Sequence, residues 1–538
     1  MKKALWITFL MASMHCSGQQ FDVLIRGGTI YDGRGGAPYK GDVGISGDSI
    51  SAIGDLSSSQ ALQTIDATGL AVAPGFINML SWAGEFLLRD GRSMSDLKQG
   101  VTLEVFGEGL SPGPRLRRPR DKQWKTLGEY FETLEKKGVS TNFASFVGAT
   151  TVREYVLGRA NRAPSPEELE KMKGLVQVAM EEGAMGVGSS LIYAPADFAS
   201  TEELIELSKV AAQYGGMYIS HIRNESDNIL KALDEAFRIG SEAGLPVEIY
   251  HLKISHERNW NKINTVVKKI DSARKAGLKV TANMYTYTAS GTGLTARLPT
   301  WVQEGGPAEL RKRLKDPLTR SMILVDLRLG IPERNAHPKD VLVMGFSKDS
   351  LNKRYKGKRL DEISRLHGKH ADETMIDLLV ADRSSIPCMY FLMSEDIMKK
   401  MLRLPYVSFC SDGSSMAAEF PYTEARTHPR TYGSFARWLG RYVREEKLVT
   451  LEEGIRRLTG LPASNLKLTR RGNLAKGYFA DVVVFDPNTI RDVATYEDPH
   501  RYAEGMVHVF VNGKQVLQDG AHTGAMPGRV VRGPGWKK

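Results

Sequence analysis

Two histidines and two carboxylates each stand directly behind a short apolar run of the sequence. His221 closes "MYIS", His251 closes "VEIY", Asp412 follows "VSFCS", and Glu108 lies between two glycines after "VTLEVF". Imidazole and carboxylate groups suit Zn²⁺ and similar ions, which in catalytic sites keep one position open for water. A single histidine at a strand end is usually structural. Two histidines on adjacent strands, with carboxylates on others, favour a metal site. The glycines beside Glu108 let the backbone approach closely, so Glu108 is a better candidate for the third ligand than Glu104.

The central part of the sequence supplies a scaffold that can bring such strand ends together. Apolar, strand-like runs alternate there with helical segments; the runs are Ala71–Ile77, Val101–Phe106, Asn142–Val147, Met185–Ser189, Met217–Ser220, Val247–Tyr250, Lys279–Met284 and Val407–Cys410. Residues 165–168 and 200–203 have the pattern of helix capping boxes. Eight strands with intervening helices predict an α/β fold of the (β/α)₈ barrel type, in which chemistry sits at the carboxyl ends of the strands.

The interval between the seventh and eighth strand-like runs is too long for a single loop. Residues 300–370 within it are basic and rich in Pro and Gly, which predicts an inserted lid or subdomain. His367 and His370 have a ligand-like spacing there, but their Lys- and Arg-rich surroundings indicate a solvated surface.

Both ends of the chain are rich in short strands and turns. Gly47-Asp48 and Asn512-Gly513 each lie between two strand-like runs, and both patterns predict hairpins, the second with a type I′ turn. We therefore predict one small composite β-sandwich, built from residues 21–70 and 471–538, around a barrel that spans residues 71–470.

Composition excludes several classes of protein. The chain has 538 residues, of which 41% are hydrophobic and 25% charged, and this ordinary usage argues against long disorder. The net charge of +11 is modest for this length and no basic run stands out, so nucleic acid is not an expected partner, whereas an acidic small molecule is compatible. Three cysteines are too few for a disulfide framework.

The first twenty residues have the pattern of a secretory signal peptide. Two lysines precede an apolar core at residues 4–14, and small and polar residues follow it. We predict cleavage near Gly18 and export, with a periplasmic location. A lipid anchor on Cys16 is the alternative, although the residues before Cys16 match a lipobox poorly. Beyond this leader, no segment is long and apolar enough to span a membrane.

Several longer stretches of the sequence resemble one known family. The stretches are "DVLIRGGTIYDG", "APGFIN", "QGVT", "SHIRNES", "EIYHLKIS", "SDG", "THPR" and "GYFADVVVFDP", spread from Phe21 to about Gly535. Together they resemble the N-acyl-D-amino-acid deacylase (D-aminoacylase) branch of the amidohydrolase superfamily. The resemblance implies a (β/α)₈ barrel with a β-sandwich and metal-dependent hydrolysis of an amide.

The resemblance also implies roles for particular residues. His221 and His251 match the histidine ligands that follow strands five and six, and Asp412 matches the strand-eight aspartate that acts as general base and proton shuttle. Lys253 and Arg430 match residues that help hold the carboxylate of the substrate. Arginine and lysine are physically suited to that task, although a loop-anchoring salt bridge is the alternative role for Arg430.

Tyr287 matches a substrate-binding tyrosine of the family.

Two departures from the family pattern concern the metal. Where the family has "D-x-H-x-H" after strand one, this sequence reads "NMLSW", so that Leu80 and Trp82 replace both histidines. The strand-two ligand, usually a cysteine, is Glu108. One metal site is therefore lost, while Glu108, His221 and His251 form a complete three-ligand set. We predict one zinc ion per chain, with Trp82 shaping the acyl pocket.

Three alternatives to a deacylase stay open on the sequence. A cyclic amidase of the hydantoinase or dihydroorotase type is disfavoured, because neither a bridging carboxylated lysine nor the strand-one histidines are found. A D-stereospecific dipeptidase could use the same site and would differ only in the free α-amine of its substrate. A non-catalytic binding protein that kept the barrel is suggested by the lost histidine pair.

Overall fold

The computed structural model describes residues 20–115, 124–329, 336–424 and 426–537. The strands are β1 Gln20–Ile30, β2 Tyr39–Ser46, β3 Ser49–Gly54, β4 Gln60–Asp66, β5 Ala71–Pro74, β6 Phe76–Asn78, β7 Val101–Phe106, β8 Asn142–Ser145, β9 Val147–Gly148, β10 Gly186–Ser190, β11 Met217–His221, β12 Val247–Ile249, β13 Val280–Met284, β14 Ser290–Gly293, β15 Val341–Val343, β16 Pro387–Tyr390, β17 Val407–Phe409, β18 Val482–Phe485, β19 Met506–Val511, β20 Lys514–Gln518 and β21 Ala521–His522. The signal peptide predicted over residues 1–20 lies, except for Gln20, outside the described residues and stays a prediction.

The helices alternate with the central strands. They are α1 Gly84–Leu87, α2 Met94–Leu97, α3 Leu127–Lys137, α4 Ala149–Leu157, α5 Pro166–Glu181, α6 Thr201–Gln213, α7 Ile229–Ala243, α8 Ile263–Lys275, α9 Pro307–Lys315, α10 Pro317–Leu329, α11 Asp349–Tyr355, α12 Leu360–His367, α13 Ala371–Asp382, α14 Glu395–Leu402, α15 Arg430–Arg437, α16 Leu451–Leu458 and α17 Gly460–Asn465. Among the helices of the described residues, none is long and apolar enough to cross a membrane.

Parallel strands form the predicted (β/α)₈ barrel. One run of six hydrogen-bonded strands has the order β17-β13-β12-β11-β10-β9, and β6-β7-β8 form a second run. β8 and β9 are separated only by Phe146 and together make the third of the eight barrel strands. Backbone bonds close the ring between its first and last strands, where Met79 N–H donates to Phe409 O (3.2 Å) and Asp412 N–H donates to Leu80 O (3.0 Å). The carboxyl ends of the barrel strands therefore lie together at one mouth of the barrel.

Helix caps predicted from the sequence are present around the barrel. Ser165 Oγ accepts from the Glu168 N–H while the Glu168 carboxylate accepts from the Ser165 N–H, so α5 begins with a complete capping box. Ser200 Oγ accepts from the Glu203 N–H at the start of α6. These side chains satisfy backbone donors that the first helical turn leaves unpaired.

Strands from both ends of the chain form one nine-stranded sheet. Its order is β21-β20-β19-β18-β5-β1-β2-β3, with β4 pairing on β1. The junction runs through the middle, where β5 pairs in parallel with β1 and antiparallel with β18. Both predicted hairpins are present, β2–β3 and β19–β20, and the second turns through Asn512 and Gly513 with positive φ angles of 47° and 76°.

The stretch that the sequence presents as the first barrel strand, Ala71–Ile77, is two strands in the structure. β5 belongs to the nine-stranded sheet, and only β6 belongs to the barrel. The break falls at Gly75, where a Cβ would lie 2.0 Å from Thr102 Oγ1 and the N–H donates to Asp481 O. The continuous apolar run hid this change of sheet, because both strands are buried.

The inserted subdomain between β13 and β17 is larger than the predicted 300–370. It begins at β14 and ends at β16, and these strands pair antiparallel in one small sheet with β15. Helices α9–α13 pack on this sheet around a separate apolar core. The pairing of β14 with β16 brings the two ends of the insertion together.

Candidate metal centre

Glu108, His221 and His251 meet in one buried cluster at the mouth of the barrel. Glu108 Oε1 lies 2.9 Å from His221 Nδ1 and 2.9 Å from His251 Nε2. All three side chains are buried, and within the described ranges this is the single group of three or more His, Cys, Asp or Glu residues with the spacing of a metal site. The structure thus brings together the three residues that the sequence indicated.

The carboxyl ends of three barrel strands position this cluster. His221 is the last residue of β11, while His251 and Glu108 each lie two residues beyond β12 and β7. At Gly107, with a φ of +107°, a Cβ would lie 2.5 Å from the Phe146 carbonyl oxygen. Glycine is therefore required there for the loop to bring Glu108 over the barrel axis.

The electrostatics of the cluster keep its carboxylate ionised. Burial by itself would raise the pKa of Glu108, but His251 and His221 lower it to about 2. Burial and Lys253 oppose protonation of His251, yet Glu108 and Glu225 raise its pKa to about 9. One ionised carboxylate and two imidazoles with nitrogens facing the same point fit the donor set of a catalytic zinc ion.

Lys253 lies behind the cluster and is paired within the protein. Its Nζ donates to Glu225 Oε1 at 2.5 Å and lies 2.7 Å from His251 Nδ1. Burial would raise the pKa of Glu225, but His221 and Lys253 bring it below its ordinary value. Lys253 therefore orients a ligand and neutralises Glu225 in this structure, instead of offering an unpaired charge to a carboxylate.

Glu225 is a residue of this site that the sequence analysis missed. It stands four positions after His221 in "SHIRNES", and that spacing from a ligand was its one available signal. It lies on the loop between β11 and α7, where the sequence shows no periodicity that would place its side chain.

Asp412 is buried beside the cluster and each of its carboxylate oxygens has its own partner. Oδ1 accepts from Trp82 Nε1 at 3.1 Å, and Oδ2 lies 2.6 Å from Arg430 Nη1. Asp412 has a φ of +46°, in the left-handed region. Backbone bonds between the ends of β6 and β17, including Trp82 N–H to Gly413 O (2.9 Å), hold these side chains together. Trp82, which the sequence analysis treated as a lost ligand and as a wall of the acyl pocket, is thus also a partner of Asp412.

Arg430 stacks over a tyrosine that sequence reasoning did not select. Its guanidinium carbon lies 4.7 Å from the ring centre of Tyr285, which is fully buried. Among the described residues, the buried Arg430 Nε has no hydrogen-bond partner. The Tyr287 hydroxyl, by contrast, donates to Asp492 at 3.0 Å, so the structure does not bring Tyr287 into this cluster in the way the resemblance implied.

The end of the first barrel strand offers no metal ligand. Leu80 is fully buried in the barrel interior, and Trp82 is 39% exposed at the mouth. Trp82 also lines a cavity of about 800 Å³ between the loops that follow the first three barrel strands. Its aromatic and aliphatic walls include Phe106, Leu110 and Tyr130.

The family model and the sequence comparison both indicate an amidohydrolase. Residues 414–517 match the model of the amidohydrolase family. The chain is 34% identical over 525 residues to D-aminoacylase of Alcaligenes xylosoxydans xylosoxydans, covering 95% of this chain and 98% of that protein.

Solved structures agree with the sequence comparison. N-acyl-D-glutamate deacylase from Bordetella bronchiseptica, crystallised with zinc and a phosphonate inhibitor that mimics the tetrahedral intermediate, is similar with a TM-score of 0.80 and 30% identity, over 96% of this chain and 100% of that chain. A D-aminoacylase whose binuclear metal centre is described as showing one-metal activation and second-metal attenuation gives a TM-score of 0.80 and 31% identity, over 95% and 100%.

Proposed function

Because the chain belongs to the D-aminoacylase branch of the amidohydrolase family, we propose that it hydrolyses the linear amide bond of N-acyl-D-amino acids. The observation that carries the proposal is the convergence of Glu108, His221 and His251 beside Asp412 at one barrel mouth. Relatives that align over nearly the whole chain are a D-aminoacylase and deacylases of N-acyl-D-glutamate and N-acyl-D-aspartate.

We propose one zinc ion per chain, held by Glu108, His221 and His251. When bound there, zinc would lower the pKa of a water molecule towards ~7 and polarise the scissile carbonyl. Buried Leu80 and indole-bearing Trp82 supply no ligand for a second ion at the end of the first strand. The one-metal activation described for a D-aminoacylase supports a single ion as sufficient.

Asp412 is the residue placed to move the proton. Its carboxylate has four lone-pair positions, and Trp82 and Arg430 engage one oxygen each, so acceptor capacity remains for a water proton. Asp412 takes that proton as general base and returns it to the leaving nitrogen. Trp82 and Arg430 hold the Asp412 carboxylate in one orientation, so less conformational freedom has to be lost to reach a productive geometry.

Arg430 is the residue best placed to bind the α-carboxylate of the substrate. Its buried Nε donor faces no acceptor among the described residues, and a guanidinium suits a carboxylate. Lys253 is already paired with Glu225, so Arg430 carries this role without it. A substrate whose carboxylate is converted to an amide leaves that donor without an anion.

The test is a hydrolysis screen with zinc-quantified protein. We expect N-acetyl-D-amino acids to be hydrolysed faster than their L-enantiomers, and their C-terminal amides to be poor substrates because the partner of Arg430 is lost. Release of free amino acid measures each rate. Faster cleavage of D-dipeptides with a free α-amine would favour the dipeptidase, and zinc-loaded protein without any hydrolysis would favour a binding protein.

Trp82→Phe tests the indole hydrogen bond to Asp412. Phenylalanine keeps the ring but removes the donor, and a hydrogen bond to a charged group is worth about 1.5–3 kcal/mol. We expect kcat for an N-acetyl substrate to fall roughly 10- to 100-fold, with zinc content unchanged, in steady-state assays.

A matched control exists far from the site. Trp301 Nε1 donates to Asp326 Oδ2 at 2.9 Å in the inserted subdomain, so Trp301→Phe removes the same kind of bond. That variant should keep the parent kcat. An unchanged kcat in Trp82→Phe, or loss of zinc from it, would contradict a positioning role for Trp82.

A further inference from the structure

We propose that the cavity beside Trp82 binds the acyl group of the substrate and selects long or aromatic apolar acyl groups. The inference rests on the proposed deacylase function and adds the class of acyl group and its place in the fold. Three observations carry it: the chemistry of the cavity walls, their position beside the reacting groups, and the direction in which the acyl group must leave the amide.

The walls of this cavity are suited to an apolar ligand. Its volume is about 800 Å³, and most of its lining residues come from the loops after β6 and β7 and from α4, with Tyr130 of α3 and Ser414 after β17 completing the wall. Trp82 and Leu110 expose 39% and 47% of their surface although both are large and apolar. Three charged residues, Glu85, Arg115 and Glu154, also line it, but most of its surface is apolar and several aromatic side chains contribute, as is typical of ligand pockets.

The lining of the cavity connects to both groups that perform the chemistry, although neither Glu108 nor Asp412 lines it. Gly107 and Leu110, which line it, lie on either side of the ligand Glu108 in the chain. Trp82 lines it as well and donates its indole N–H to Asp412, while Ser414 follows Asp412 by two residues. A group attached to a carbonyl at the metal centre therefore has apolar surface within reach.

The geometry of an amide indicates which part of the substrate faces the cavity. In a trans amide the substituents of the carbonyl carbon and of the nitrogen point in opposite directions. Arg430, which we assign to the α-carboxylate, lies in α15 after the eighth strand, and its Nη2 is 3.5 Å from Gly291 O beyond the seventh. Arg430 pairs with Oδ2 of Asp412, whereas Trp82, which lines the cavity, bonds Oδ1, so a carboxylate held by Arg430 leaves the acyl group on the Trp82 side, towards the cavity.

The size of the cavity sets the expected preference. An acetyl group would leave most of 800 Å³ unfilled. Each additional buried CH₂ is worth about 0.8 kcal/mol, which corresponds to roughly a fourfold gain in kcat/KM. From acetyl to hexanoyl, four methylenes, we expect a gain on the order of 10²-fold, levelling off once the cavity is filled.

The experiment measures kcat/KM for N-acetyl, N-butanoyl, N-hexanoyl and N-octanoyl derivatives of one D-amino acid. Leu110→Asn places a polar side chain in the cavity wall at an exposed loop position, so folding should be kept, and thermal melting checks this. We expect it to flatten the chain-length dependence, measured as the ratio of kcat/KM for the N-hexanoyl and N-acetyl substrates. Leu62→Asn, at a leucine that is 77% exposed on β4 of the nine-stranded sheet, is the matched control and should keep the full dependence.

The outcomes distinguish a failure of the acyl-pocket inference from a failure of the proposed deacylase function. Hydrolysis of the N-acetyl substrate with no rise along the series would overturn the acyl pocket and leave the deacylase intact. A rise that persists unchanged in Leu110→Asn would place the acyl group elsewhere and also overturn it. Failure of zinc-loaded protein to hydrolyse any member of the series would overturn both.

Discussion

His221→Ala abolishes zinc binding and hydrolysis together. The substitution leaves two protein ligands, Glu108 and His251, where a catalytic zinc site has three. It also leaves the Glu108 carboxylate with one histidine partner in a buried position, which disfavours an empty but intact site. Because the ion supplies several kcal/mol of transition-state stabilisation, we expect kcat/KM to fall about 10³-fold or more.

The measurement is zinc content by elemental analysis after dialysis, paired with kcat/KM on the same sample. The parent should hold about one ion per chain. His367→Ala is the control, because the ring nitrogen of His367 lies 2.8 Å from the Tyr355 hydroxyl in the inserted subdomain, where the sequence already indicated a surface rather than a ligand. Full zinc content in His221→Ala, or two tightly held ions in the parent, would contradict the three-ligand site.

Asp412→Asn separates proton transfer from metal binding. The amide keeps the shape of the side chain but cannot accept the water proton, so we expect kcat to fall roughly 10²- to 10⁴-fold, with zinc content near that of the parent. The contacts of Asp412 in the structure predict a further loss of activity in this variant. Oδ1 accepts from Trp82 and Oδ2 is ion-paired with Arg430, so the amide NH₂ must face one of these two donor-bearing side chains and that contact is lost.

Asp326→Asn provides the comparison, because Asp326 also accepts an indole hydrogen bond, from Trp301, but lies away from the barrel mouth. It should retain kcat. Should Asp412→Asn lose zinc as fully as His221→Ala does, Asp412 would be a ligand in the first place. Retention of both zinc and full turnover would refute general-base catalysis by this residue and strengthen the binding-protein alternative.

The metal ligands could be predicted because each is tied to a local pattern. A strand that ends in a barrel delivers its last side chains to one mouth, so an apolar run followed by His221, His251 or Glu108 already defines the place of that residue. The contacts of Asp412 could not be predicted in this way. They join residues 330 positions apart, and no periodicity within either segment encodes that Trp82 and Asp412 touch.

The predicted boundaries of the first barrel strand and of the inserted subdomain differ from the structure for a related reason. Apolar runs indicate burial, but they do not state which sheet buries them, and so the change from β5 to β6 at Gly75 was invisible. The inserted subdomain began earlier and ended later than its basic, Pro- and Gly-rich segment, because its edges are set by the pairing of β14 with β16. Composition marks the middle of such an insertion, and hydrogen bonding marks its ends.

The sheet shared by the two ends of the chain sets an order of events during synthesis. Gln63 Nε2 donates to Gln515 Oε1 across 452 positions, and β5 needs β18 as its neighbour. The N-terminal strands thus leave the ribosome long before their partners exist, and an edge of the unfinished sheet waits with its backbone groups unpaired. Contacts of such sequence separation form slowly. A chain that stops short of β18 therefore lacks the strand that pairs with β5 and cannot complete the native sheet.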